Sequence, residues 1–135
     1  MDETELLIRD LCARAPYNDT IVDVAYWVSY DGKPELEWSK EKLTLSLLHQ
    51  IEEEEGAWGY IKPYLRPLSS MTEEEKKEYE KVCELDTEIL AKHPMNGEPF
   101  PALYNSIDWL NKNHFDYRGL IEKGLAIEAP EGMYN

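Results

Sequence analysis

At 135 residues the chain has the length of one domain, and 28 Asp and Glu against 14 Lys and Arg leave it a formal charge of −14. Proteins bind nucleic-acid phosphates and anionic headgroups by neutralising them with Lys and Arg, so this surplus argues against direct nucleic-acid binding and against adhesion to a charged membrane. A hydrophobic fraction of 42%, with nine Tyr and four Trp, suits a packed core rather than a disordered chain.

Nor does any apolar run approach the roughly 20 residues that span a bilayer. The opening "MDETELLIRD" is acidic where a secretion signal is basic, so a cytoplasmic location is expected. Cys12 and Cys83 stand far from any paired-cysteine motif. They suit two reduced thiols buried on helix faces, and their separation leaves open whether they meet in space.

In chain order, residues 3–14 place Leu6, Leu7, Leu11 and Cys12 at helical spacing, and Pro16 stops that helix. The strongest strand signal is "TIVDVAYWVSY" (20–30), where Val22, Val24, Tyr26, Val28 and Tyr30 alternate with a second set. Asp31-Gly32 then marks a hairpin turn, and a returning strand at 35–39 is expected to bring Leu36 and Trp38 to the inner face. Residues 42–50 carry alternating leucines that favour a strand, although their residue types also suit a helix. Gly and Pro punctuate 56–71 as a loop, with a short strand at 60–61.

Thr72 and Glu75 have the spacing of a capping box opening a helix over 72–91, and Tyr79, Val82, Cys83, Ile89 and Leu90 share one face of it. Asp86 falls inside that stripe, which suggests a break and restart there. "HPMNGEPFP" is a turn-rich connection. Helices are expected at 104–114 and 117–123, the second capped by Asp116 and closed by Gly124, before an edge strand at 125–129. Together these describe an α+β domain: a small, mostly antiparallel sheet with helices packed on one face.

Two stretches, "IKPYLRPLSSMTEEEKKEY" and "SIDWLNKNHFDYRGLIEKGLAIEAPEGMY", resemble a family of small proteins from the genomes, prophages and mobile elements of gut-dwelling anaerobic bacteria. The resemblance covers the last 75–80 residues. It implies a setting, an accessory and phage-associated gene product in the cytoplasm, and carries no activity, cofactor or site residue to these positions.

Chemistry-bearing residues crowd one stretch, Trp109 to Arg118. His114 and Asp116 have the spacing of an oriented imidazole, with Tyr117 and Arg118 beside them, but no nucleophile accompanies them. Asp116 as a helix cap with Trp109 packed behind it is the simpler reading. Arg66, ahead of Ser69, Ser70 and a helix N-terminus, is an anion-site candidate already answered by Glu73–Glu75. His49, His93 and His114 are isolated, and Glu52–Glu55 lacks the alternating ligands of a calcium loop, so no metal and no cofactor are expected.

Carboxylates at Glu73, Glu80, Glu84 and Glu88 line one helix face in a manner open to DNA mimicry, but Lys77 and Lys81 interrupt them at the spacing of ordinary ion pairs. The expectation is a non-enzymatic, acidic accessory protein that binds another protein. The alternative is a small-ligand or catalytic cleft at His114, Asp116, Tyr117 and Arg118. Strand 20–30, if left on an edge, would pair with a second copy to give a homodimer.

Overall fold

Asp31 and Gly32 set the register of the sheet. Both take positive φ, 50° and 81°, the backbone of a two-residue turn whose twist matches the strands that it joins. β1 (Ile21–Tyr30) and β2 (Lys33–Lys42) consequently pair antiparallel along their whole length, Tyr30 opposite Lys33 and Ile21 opposite Lys42. The computed structural model describes residues 2–17, 19–53, 57–92 and 105–134, apart from the side chains at 57, 89, 90 and 92.

On the far side of β1 lies β3 (Ile61–Pro67), antiparallel to it only over Val22–Val24. Two short strands, β4 (Phe115–Asp116) and β5 (Ile127–Glu128), pair with β3 in parallel. The fold is α+β around a mixed five-stranded sheet in the order β2-β1-β3-β4, with β5 also on β3. Among the described residues the helices are α1 (Glu3–Arg14), α2 (Leu45–Glu53), α3 (Glu73–Lys92) and α4 (Asn105–Lys112). No described helix is long and apolar enough to cross a membrane.

The main core forms where Val22 and Val24 of β1 and Ile61 and Leu65 of β3 meet Leu7 and Leu11 of α1 and Leu47, Leu48 and Ile51 of α2. A second cluster, Trp109, Leu110 and Phe115 with Met71, Tyr79 and Val82, joins α4 to α3. Tyr134 ties the C-terminal tail down: its hydroxyl donates to the Tyr64 carbonyl at 2.6 Å and accepts the Ile21 N–H at 2.9 Å.

Several expectations are corrected. Residues 42–50 do not form a strand. β2 runs on to Lys42, and Thr44 then opens α2, its hydroxyl accepting the Leu47 N–H at 3.1 Å. The leucines that alternate also repeat at helical spacing, and burial of Leu47, Leu48 and Ile51 selects the helix. The strand at 60–61 is instead seven residues long despite Pro63, which has no N–H to offer and marks the end of pairing with β1.

Residues 117–123 form turns rather than a helix, because Gly119 adopts φ 76° and breaks the right-handed path. α3 passes through Asp86 without interruption. That buried carboxylate does act as a cap, but for α4, accepting the Ser106 N–H at 2.9 Å. Cys83 is half-buried and Cys12 exposed, both free, so Cys12 is not the buried thiol expected. The 93–101 connection, His93, Glu54, Glu55 and the side chains of Ile89 and Leu90 lie outside the described residues.

The hairpin also departs from expectation. Val22 and Val24 are buried, yet Tyr26 and Tyr30 on the same face are exposed, because the core reaches only to the base of the hairpin. Leu36 pairs with Trp27 and Trp38 with Ala25, so both project to the face opposite Val22 and Val24.

Candidate functional site

His114 ends α4 in the left-handed region, φ 66°, with its N–H bonded to the Asn111 carbonyl. Its carbonyl accepts the Arg66 N–H at 2.7 Å, so the residue sits at the join between helix and sheet. The buried ring stacks on Tyr134 at 3.7 Å between centroids, and Nδ1 lies 3.1 Å from the Thr20 hydroxyl. Burial first, and the nearby Arg14 guanidinium second, pull its pKa down to about 4, so at neutral pH the imidazole is uncharged.

Asp116 holds two backbone donors, Leu120 N–H at 2.9 Å and Ile121 N–H at 3.0 Å. Trp109 donates from Nε1 to Glu78 at 3.1 Å and stacks on Phe115. Tyr117 donates to Asn111 at 2.9 Å. Arg66 grips Glu75 through two bonds of 2.8 and 2.7 Å and lies over the Phe115 ring. Glu75 also closes the capping box with Thr72, accepting its N–H while Thr72 Oγ1 accepts that of Glu75. The Arg66 hydrogen bonds lead the effects that hold the Glu75 carboxyl at about 2.

Arg118 reaches a group that sequence spacing did not single out. Asp10, without solvent exposure, accepts Arg14 Nε and Nη2 at 2.9 Å each and Arg118 Nη1 at 2.8 Å. Arg14, equally buried, also donates to the Phe115 carbonyl at 2.7 Å, and both guanidinium groups lie over the Tyr117 ring. The i, i+4 spacing of Asp10 and Arg14 was a visible signal, but it reads as a surface pair until the fold encloses it.

These side chains are neighbours, and nearly all their polar groups are taken up by the fold; Arg14 Nη1 is buried without a hydrogen-bond partner among the described residues. One hollow of about 610 Å³ opens near them, between Arg66, Ser70 and Thr72 on one side and Glu128, Glu131 and Tyr134 on the other. Of the sequence candidates only Arg66 lines it, with its guanidinium already answered by Glu75. Among the described residues no three His, Cys, Asp or Glu side chains gather closely enough to hold a metal ion. On α3, Glu73 pairs with Lys76 at 3.2 Å, a neighbour on the helix other than the Lys77 expected.

The unspent chemistry lies on the hairpin. Past Val24 the ribbon of β1 and β2 leaves the core, and its two faces differ. One carries Trp27, 63% exposed, and Trp38, 45% exposed, with Ala25 and Leu36 between them. The Tyr60 ring stands edge-on to Trp27 at 6.4 Å and extends this apolar face. The other face carries Tyr26 opposite Glu37, Val28 opposite Glu35 and Tyr30 opposite Lys33, with Glu41 below. Tyr26 donates to Glu41 at 2.6 Å and Tyr30 to Glu37, each a residue four positions beyond its direct partner, so both rings lean along the ribbon toward its base.

Comparison with protein-family models, with curated proteins and with solved structures finds no match to this chain.

Proposed function

We propose that this chain is a non-enzymatic, acidic accessory protein that acts in the cytoplasm by binding another protein through the exposed tryptophan face of its hairpin. The observation that carries the proposal is Trp27 and Trp38 exposed on one face of the ribbon, at diagonal positions of adjacent strands beyond the reach of the core. Soluble proteins seldom leave large rings exposed in a contiguous patch, and Trp and Tyr dominate the energetic centres of protein interfaces. The phage-associated setting rests on the resemblance of the C-terminal stretches alone.

A catalytic or small-ligand cleft would need His114, Asp116 and Arg118 to point into open space. Their bonds to Thr20, to the 120–121 backbone and to Asp10 favour a structural role instead.

The test is affinity capture from a host lysate with the wild type and with a Trp27→Ser/Trp38→Ser double variant, each shown to be folded by circular dichroism. A specific partner recovered by the first and lost by the second is expected. Equal recovery by both, or none by either, contradicts the proposal. Binding that fell steeply with salt and was competed by DNA would point to mimicry of nucleic acid by the α3 carboxylates.

A further inference from the structure

Building on the reading just given, we infer that the partner contributes a basic, extended segment that adds as a strand to the open edge of β1 beyond Val24. β3 pairs with β1 only at Val22–Val24; the turn at 57–60 that leads into β3 touches β1 through Tyr60 on Trp27, and among the described residues no strand lies beside 25–30 on that side, which leaves 28–30 the most open part of the edge. That edge reads Ala-Tyr-Trp-Val-Ser-Tyr, with neither Pro nor charge. The outer edge, on β2, carries Pro34 with three Lys and three Glu, the usual devices that discourage strand addition. One edge is guarded and the other is not.

Charge selects the occupant. On this face β2 carries Glu35, Glu37 and Glu41 against the single cation Lys33, so a second copy brings the same negative surplus along with another −14 overall, and self-pairing is opposed. A strand beside β1 would lay every other side chain across Tyr26 and Tyr30, whose hydroxyls reach Glu41 and Glu37 on β2. With strands about 4.8 Å apart, Lys and Arg are long enough to lie on those rings and reach the carboxylates. The intervening side chains would meet Trp27 and the apolar face. The recognised pattern is Lys or Arg alternating with Val or Ile, held by main-chain bonds as in other strand-addition complexes.

The experiment titrates the full chain with a Lys-Val-Arg-Ile-Lys-Val peptide, followed by calorimetry. A Glu-Val-Glu-Ile-Glu-Val peptide, a version with its cationic residues blocked together, and two versions N-methylated at alternate amides serve as comparisons. The alternating basic peptide is expected to bind about tenfold or more tightly than the acidic and blocked ones. N-methylation should abolish binding in one register and spare it in the other, and Glu37→Gln/Glu41→Gln should weaken it.

Equal binding of basic and acidic peptides, equal effects of the two methylation registers, or no binding at all would overturn the inference. So would a concentration-dependent dimer in sedimentation. If the peptide fails while Trp27→Ser/Trp38→Ser still abolishes capture of a protein, the strand-addition inference falls and the interaction reading stands. If the peptide binds and capture is unchanged, the reverse holds.

Discussion

Replacing Asp10 by Ala tests whether the buried charges are a structural hub. The carboxylate accepts three hydrogen bonds within 2.9 Å from Arg14 and Arg118, and neither Asp10 nor Arg14 is exposed. Removing it leaves the Arg14 guanidinium enclosed with the Phe115 carbonyl and the Tyr117 ring. Breaking such a pair from one side costs about 3–5 kcal/mol, because a charge stays buried without its counter-charge. At about 2.1 cal/mol/K of unfolding entropy per residue, this chain loses about 10–18 °C of Tm. Arg118, partly exposed, turns to water and adds little.

Thermal unfolding followed by circular dichroism at pH 7 measures the loss, and a urea titration with unchanged slope confirms that stability alone has moved. Asp10→Leu with Arg14→Met removes both charges and should cost less than Asp10→Ala alone. A loss below about 1 kcal/mol for Asp10→Ala, or a double variant worse than the single one, would refute the reasoning.

Acid should lower stability over two pH windows. An unfolded His takes a proton near 6.5 but folded His114 only near 4, so its stabilising contribution is complete above pH 6.5 and falls as pH drops through that window. Linkage puts the loss at about 2.5 kcal/mol by pH 4.5. His114→Asn, which tolerates the left-handed backbone, should abolish the slope between pH 6.5 and 4.5 in urea titrations. An unchanged slope would remove His114 from the account. Glu75, lowered from 4.5 to about 2, contributes above pH 4.5 and is lost below it. Its partial exposure reduces the cost of Glu75→Gln to about 1 kcal/mol at pH 7, and that variant should flatten the slope in the lower window. Trp27→Ser and Trp38→Ser should each change stability by no more than about 0.5 kcal/mol, whereas Trp109→Ala, cut from the stack on Phe115 and Tyr79, should cost about 3–5 kcal/mol in the same assay.

What was legible in the sequence was local chemistry. Asp-Gly at 31–32 and the Thr72–Glu75 box each satisfy backbone groups within three or four residues, so spacing alone identifies them. The α2 segment was not legible, since its leucines fit both periods and only the position of the core decides between them. β3 was hidden behind prolines that a seven-residue strand tolerates where its ladder is short. Asp86 and Asp116 were recognisable as caps, but the distant end that Asp86 caps was not, because it depends on α3 meeting α4. The crowding of His114, Asp116 and Arg118 reflects a junction in the chain, while the exposed face of the hairpin arises where β1 outruns β3, a matter of packing no single segment records.

The most direct measurement places a photo-crosslinking phenylalanine analogue at position 27 and, separately, at exposed position 84 on α3, in cells that express the full chain. A discrete cross-linked protein is expected from position 27, displaced by a Lys-Val-Arg-Ile-Lys-Val peptide, and none from position 84. Cross-links from 84 alone, or none from 27, would contradict the proposal.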